Sequence, residues 1–464
     1  MRIQKPFKGR GGFGPLFFIL AASMLAAPLI AAGVAGYYLF LKDPYKPQVV
    51  LSPEVDATSP KREFTVRASD EQSGIRSVTV TVTQGQRRFE VLQKKFDPPR
   101  DQVSEHFSLS GSELRGGAFE MQVAAFDGSY ANLGAGNAAR ISRRMLLDMV
   151  PPTIKPLTPA HYVRQGGVGL VIYEVDKEPA KSGVMVGDVF YPGYKQKGGQ
   201  YACLFAFPGD MDAKDFKPRL VAEDAAGNEK LAFFVNMAIK RRFRDERVEL
   251  SDDFFRTHLP AFARFFPETR DPVERFKKIN IEVRRQNEAT LAQLATRTSP
   301  EPLWDGAFLY LPRSVVRGSF GAERTYVYDE QEVSRLRHMG IDLASVPHAP
   351  VPAANNGKVV FAGPLGVYGL AVVIDHGMGL QSLYGNLSSA AVKVGDTVKK
   401  GDPIGATGTS GLATNDQVHF AMYLDGRPVI PIEWWDGHWL EDNVTAKFTR
   451  YAQPEQPAPE QPAS

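Results

Sequence analysis

Between Gly14 and Leu41 the chain runs without a charged residue, and beyond it the pattern of apolar and polar positions changes several times. About 20 apolar residues span a bilayer core, so residues 14–41 are long enough for a tilted transmembrane anchor. Arg2, Lys5, Lys8 and Arg10 precede the run without an acid. Segment 1–13 is therefore expected to stay cytoplasmic, with the bulk of the chain in the periplasm or cell exterior. Small residues in "AAGVAG" also fit a cleaved signal peptide, but the apolar run continues past them, which favours an uncleaved single-pass helix.

Residues 48–148 alternate short β-rich runs with turns, and "SVTVTV" has the period of a half-buried strand. Residues 149–240 repeat the theme: "MQVAAFDGSYANLGAGNAARIS" and "PRLVAEDAAGNEKLAFF" share a strand, an aspartate, a Gly-Asn turn and a further strand. Two β-sandwich modules are expected. In 241–299 the apolar residues fall at three- and four-residue steps among many charges. Ser251 before two aspartates and Asp271 before Pro272 mark helix starts. This predicts a two-helix bridge, either solvated or, as the sharper option, a lid over a downstream site. Residues 300–445 return to β signals, and the Pro/Gln/Glu-rich 446–464 is expected to be a disordered tail. The predicted fold class is mainly β.

Charge and composition narrow the functions. Fifty-five basic and 52 acidic residues give a formal charge of +3, too balanced for a nucleic-acid partner. The single cysteine, Cys203 in "QYACLFAF", excludes an internal disulfide and a thiolate metal cluster. Its apolar setting predicts a buried thiol rather than a nucleophile.

The candidate chemistry lies in the last domain. In "QVHFAMYL", Val418, Phe420, Met422 and Leu424 share one strand face, while Gln417, His419, Ala421 and Tyr423 share the other. In "HMGIDLA", His338 and Asp342 are four apart, on one side of an extended segment. Two imidazoles and a carboxylate suffice for tetrahedral zinc with an open fourth position, provided the fold brings them together.

The stretch from about Phe320 to Trp435 resembles the lysostaphin/LytM-type zinc endopeptidases of bacterial cell walls, peptidase family M23. The resemblance runs through "HMGIDLA", "PVPAANNGKVVFAG", "YGLAVVIDHGMGLQSLYGNLSS", "VKVGDTVKKGDPIGATGTSGLA" and "VHF". A biotinyl/lipoyl-type module shares the "GDTVKKGDPIG"-like turn but explains neither histidine motif. More loosely, residues 48–240 resemble bacterial immunoglobulin-like modules.

The M23 resemblance implies Zn2+ held by His338, Asp342 and His419. It also implies that two further catalytic histidine positions are held by Asn386 and Gln417. Neither side chain exchanges a proton near neutral pH. His376, His348, His438, Tyr384 and Glu441 are the other groups weighed as substitutes. The implied partners are peptidoglycan stem peptides or a separate cell-wall hydrolase. Three readings remain open: a degenerate regulator of wall hydrolysis with weak or no activity, a working zinc endopeptidase, and an envelope scaffold with a zinc staple.

Overall fold

The computed structural model describes residues 15–40, 43 and 45–452. The basic segment 1–13 lies outside them, as do residues 453–464 of the expected tail. Pro15–Phe40 is helical, and Leu29, Ile30 and Val34 along it are exposed. Side chains at the start of this helix lie outside the description. Among the described residues no helix is long and apolar enough to cross a membrane.

The chain divides into two compact units, Met1–Val150 with Ala225–Asn228, and Pro151–Asp224 with Glu229–Ser464. The first holds a three-stranded sheet (Gln48–Ser52, Phe64–Ser69, Gln102–Phe107). Beside it is a five-stranded sheet whose long strands are Ile75–Gln84, Arg87–Arg100, Gly117–Asp127 and Ala138–Leu147. The alternation in "SVTVTV" is realised, because Val78, Val80 and Val82 are fully buried while the threonines between them are not.

The second unit begins with two four-stranded antiparallel sheets between Ile154 and Ala232. Cys203 is buried there as a free thiol, its pKa raised well above the ordinary value by burial. One continuous apolar core runs from Val168 and Leu170 through Phe207 to Phe320, Phe420 and Trp434. The second sandwich is thus packed into the same body as the last domain.

Residues 241–299 differ from a two-helix bridge. Asp245–Glu249 is a strand, paired parallel with Glu323–Tyr328, in a three-stranded sheet completed by Gln331–Arg337. Its burial alternates along Glu246, Val248 and Leu250, so the period-two signal wins over the helical one. Both predicted starts are caps: Ser251 Oγ accepts the Phe254 N–H, and Asp271 Oδ1 accepts the Val273 N–H ahead of Pro272. These caps open Asp252–His258 and Pro272–Lys278. The latter continues through one π turn into Arg284–Ala295.

The helices bury one face against the sheet and expose the other. Phe254, Phe276, Ile279, Val283 and Leu291 are buried against Val367, Tyr368, Leu383, Ala421 and Tyr423. They close one face of the central sheet, and the main core closes the other. At the C-terminus Ala446–Tyr451 is a helix and Ala452 is buried, so the start of the segment expected as a disordered tail (446–464) belongs to the fold. Phe448 and Tyr451 supply apolar surface that its Pro/Gln-rich remainder lacks.

The central sheet has eight strands. Along its path lie Val315–Gly318, Ile341–Ala344, Val418–Leu424, Leu380–Leu387, Leu370–Asp375, Gly357–Pro364 and Thr397–Val398, with Arg427–Val429 beside Val418–Leu424. Gly377, Met378 and Gly379, all at positive φ, make the turn between Leu370–Asp375 and Leu380–Leu387.

Candidate metal centre

Antiparallel register assembles the site. Ile341–Ala344 pairs with Val418–Leu424 so that Asp342 lies directly opposite His419. Directly opposite side chains point to the same face of a sheet and sit close together. That face is the one covered by the helices, since Ala421 and Tyr423 pack there while Val418, Phe420 and Met422 enter the main core. His338, just after Gln331–Arg337, closes the group.

The three ligand atoms converge. His419 Nδ1 lies 2.8 Å from Asp342 Oδ1, His338 Nε2 lies 3.3 Å from the same oxygen, and His338 Nε2 is 3.2 Å from His419 Nδ1. A zinc tetrahedron with bonds near 2.0–2.2 Å has edges of roughly 3.4 Å, so the triangle has the right size for one ion. The His338 tautomer fits as well. His338 Nδ1 is taken by the Ser319 carbonyl at 3.0 Å, which leaves Nε2 to face inward. His419 Nε2 is buried without a partner, its other nitrogen being turned to the group.

All three residues are buried, and this is a set able to hold a metal ion. Burial lowers the His419 pKa to about 4 despite the hydrogen bond to Asp342, so the imidazole is neutral and free to donate a lone pair. For Asp342 burial alone would favour the neutral acid. The facing His338 and His419 and the Arg324 guanidinium outweigh it and hold the carboxyl well below the usual range.

Asn386 and Gln417 line the same small cavity, about 50 Å³, as the triad. Gln417 Nε2 donates to Asn386 Oδ1 at 3.2 Å, and Asn386 Nδ2 donates to the Ser410 carbonyl at 2.8 Å. They form a hydrogen-bonded amide pair with no titratable group. Asn386 sits at φ +61°, in the left-handed region that asparagine tolerates well.

None of the other groups weighed as substitutes lines this cavity. Tyr384 belongs to the main-core side of the sheet, its hydroxyl accepting the Ala354 N–H. His376 is buried between the Asn356 carbonyl and Ser382 Oγ, at 2.7 Å from each. His348 is exposed beside Asp416. His438 is exposed, and it lines a different pocket with Arg164 and Trp439. Glu441 is exposed in the C-terminal helical segment.

Sequence reasoning missed four residues at the site. Tyr368 places its ring 5.1 Å from that of His419. Arg284, from the docked helix, lines the cavity. Arg324 donates from Nη2 to Asp342 Oδ2 at 2.6 Å, and Glu246 accepts from Arg324 Nε at 3.0 Å. No local motif marks any of them.

Residues 336–431 match the model of peptidase family M23. The murein hydrolase activator EnvC of Escherichia coli is 38% identical over 107 residues, which is 23% of this chain and 26% of EnvC. The DD-carboxypeptidase/endopeptidase Mpg of Neisseria meningitidis serogroup B is 38% identical over 95 residues, 20% of this chain and 22% of Mpg. The chain thus spans about a quarter of the length of these relatives. A crystal structure described as a putative peptidase M23 from Pseudomonas aeruginosa aligns with 61% of this chain and 96% of its own, at 20% identity and a TM-score of 0.37.

The buried His376 sets a pH dependence. Burial lowers its pKa from 6.5 to about 4. The unfolded chain therefore takes up this proton first. Stability owed to neutral His376 is fully present above pH 6.5 and is lost as pH falls towards 4, by about 3 kcal/mol in all. His376→Gln should lose correspondingly less stability than the wild type over that window, measured by urea unfolding at each pH. Asp425 and Glu433, raised to about 7 by burial, act in the opposite sense but equally in both proteins. Identical slopes would refute the assignment.

Proposed function

With its C-terminal domain belonging to peptidase family M23, we propose that this chain is a membrane-anchored, exported zinc protein that regulates cell-wall hydrolysis and does little hydrolysis itself. Zinc is held by His338, Asp342 and His419. When bound, it supplies a Lewis acid able to polarise a carbonyl and acidify a water. The observation that carries the regulatory reading is the amide pair. Asn386 and Gln417 bond to each other beside the triad, where proton-transferring side chains would be needed.

Loss of general acid–base help costs about 10²–10⁴-fold. The face bearing His419 is moreover packed against the docked helices, and Arg284 of those helices lines the small cavity at the triad. Both roles occur among similar proteins, since EnvC is named an activator and ShyA of Vibrio cholerae a peptidoglycan DD-endopeptidase. The ligand is accordingly a peptidoglycan stem peptide or a partner wall hydrolase, and the upstream sandwiches are immunoglobulin-like supports. Anchoring rests on the charge-free run 14–41 and its basic flank in the sequence.

Three outcomes test this reading. The purified chain should carry about one equivalent of zinc by elemental analysis. His419→Ala should lose it, and full occupancy in that variant would exclude the ligand set. Purified murein should be cut very slowly or not at all by the wild type. Asn386→His with Gln417→His should raise turnover more than either change alone, as groups acting together are non-additive. Robust, chelator-sensitive cleavage by the unmodified chain would sink the regulatory reading. Finally, a reporter fused after Ser464 should be active only outside the cytoplasm, and cytoplasmic activity would reverse the topology.

A further inference from the structure

Two of the three ligands are tied to a single carboxylate that lies outside the residues matched by the family model. Glu246 and Arg324 are direct partners in the parallel pairing of Asp245–Glu249 with Glu323–Tyr328. Glu246 Oε2 accepts from Arg324 Nε at 3.0 Å, and Arg324 Nη2 reaches Asp342 Oδ2 at 2.6 Å. Glu246 Oε1 accepts the Ser319 N–H at 2.9 Å, and the Ser319 carbonyl takes His338 Nδ1 at 3.0 Å. One carboxylate thus braces Asp342 by one route and His338 by the other. Arg324 and Glu246 are only 15% and 22% exposed, so the pair is little screened by water.

We infer that Glu246 and Arg324 are positioning residues for the metal triad, an inference that rests on the zinc reading above. Arg324 occupies Asp342 Oδ2 and leaves only Oδ1 facing His338 and His419. That arrangement would leave Asp342 a single oxygen, Oδ1, to offer an ion held with His338 and His419. A guanidinium beside a metal ligand by itself opposes a cation, and Glu246 cancels its charge. The local backbone is shaped for the clamp. A Cβ on Gly318, the register partner of Asp342, would lie 1.9 Å from Arg324 Nη2 and 2.6 Å from Asp342 Oδ2.

The test uses the full chain, with zinc affinity read by chelator competition and coordination read from the absorption spectrum of the cobalt-substituted protein. Glu246→Ala should bind zinc about 10–100-fold more weakly, the usual effect of removing an outer-shell partner. Glu246→Gln, which keeps an acceptor for Ser319 but not the charge, should lose less. Arg324→Gln frees Asp342 Oδ2 to bind, so its cobalt spectrum should shift towards higher coordination. Arg324→Lys keeps the charge but lacks the planar fork that spans both carboxylates, and should not restore the wild-type spectrum.

Melting of the metal-free variants confirms the fold, and the near-isosteric Glu246→Gln decides the matter should the alanine variant fail to fold. Zinc affinity within twofold of wild type and an unchanged cobalt spectrum in Glu246→Gln and Arg324→Gln would overturn the inference alone. A wild type that takes up no zinc would remove the triad reading and this inference with it.

Discussion

The register between Ile341–Ala344 and Val418–Leu424 is the constraint on which the site depends. It sets Asp342 across from His419, and the next pairing sets Gly385 on the other side of the same histidine. Side chains alternate faces along a strand, so a slip of one residue would send Asp342 into the main core and Leu343 into the cavity. The apolar row Val418, Phe420, Met422 and Leu424 prevents that slip, since each is buried in the main core. The packing that stabilises the sheet therefore also fixes the spacing of Asp342 and His419.

Covering the second face changes the chemistry of what lies on it. With the helices docked, His419 and Asp342 are almost wholly removed from water. Burial keeps the imidazole neutral, while opposite charge keeps the carboxylate ionised. These are the protonation states a divalent cation requires. The same cover confines the site to a small cavity bounded by Arg284 and Tyr368.

Continuity of packing also alters how the upstream segments are understood. The second sandwich shares its core with the central sheet, and Glu433 near the C-terminus accepts the Val168 N–H across that core. Gly167 is needed there, because a Cβ would meet the Glu433 carboxylate at 2.5 Å. The scaffold for the metal centre accordingly extends well beyond the matched residues 336–431.

Local chemistry in the sequence determined much of this. Period-two alternation located Ile75–Gln84 and Val418–Leu424, and Ser251 and Asp271 located two helix starts by their capping side chains. The triad His338, Asp342 and His419 was legible because "HMGIDLA" and "VHF" resemble the metal-ligand motifs of the M23 peptidases. Tertiary structure alone decided what surrounds it. Asp245–Glu249 lay in the segment expected as a helical bridge from its three- and four-residue apolar steps, yet pairing with Glu323–Tyr328 made it a strand. Arg324, Glu246, Arg284 and Tyr368 reach the site from segments far apart in the chain, and no local pattern encodes a contact made only on folding. Spacing along a chain records neighbours within one element. Which elements become neighbours is settled by the burial of their apolar faces, and that is a property of the whole fold.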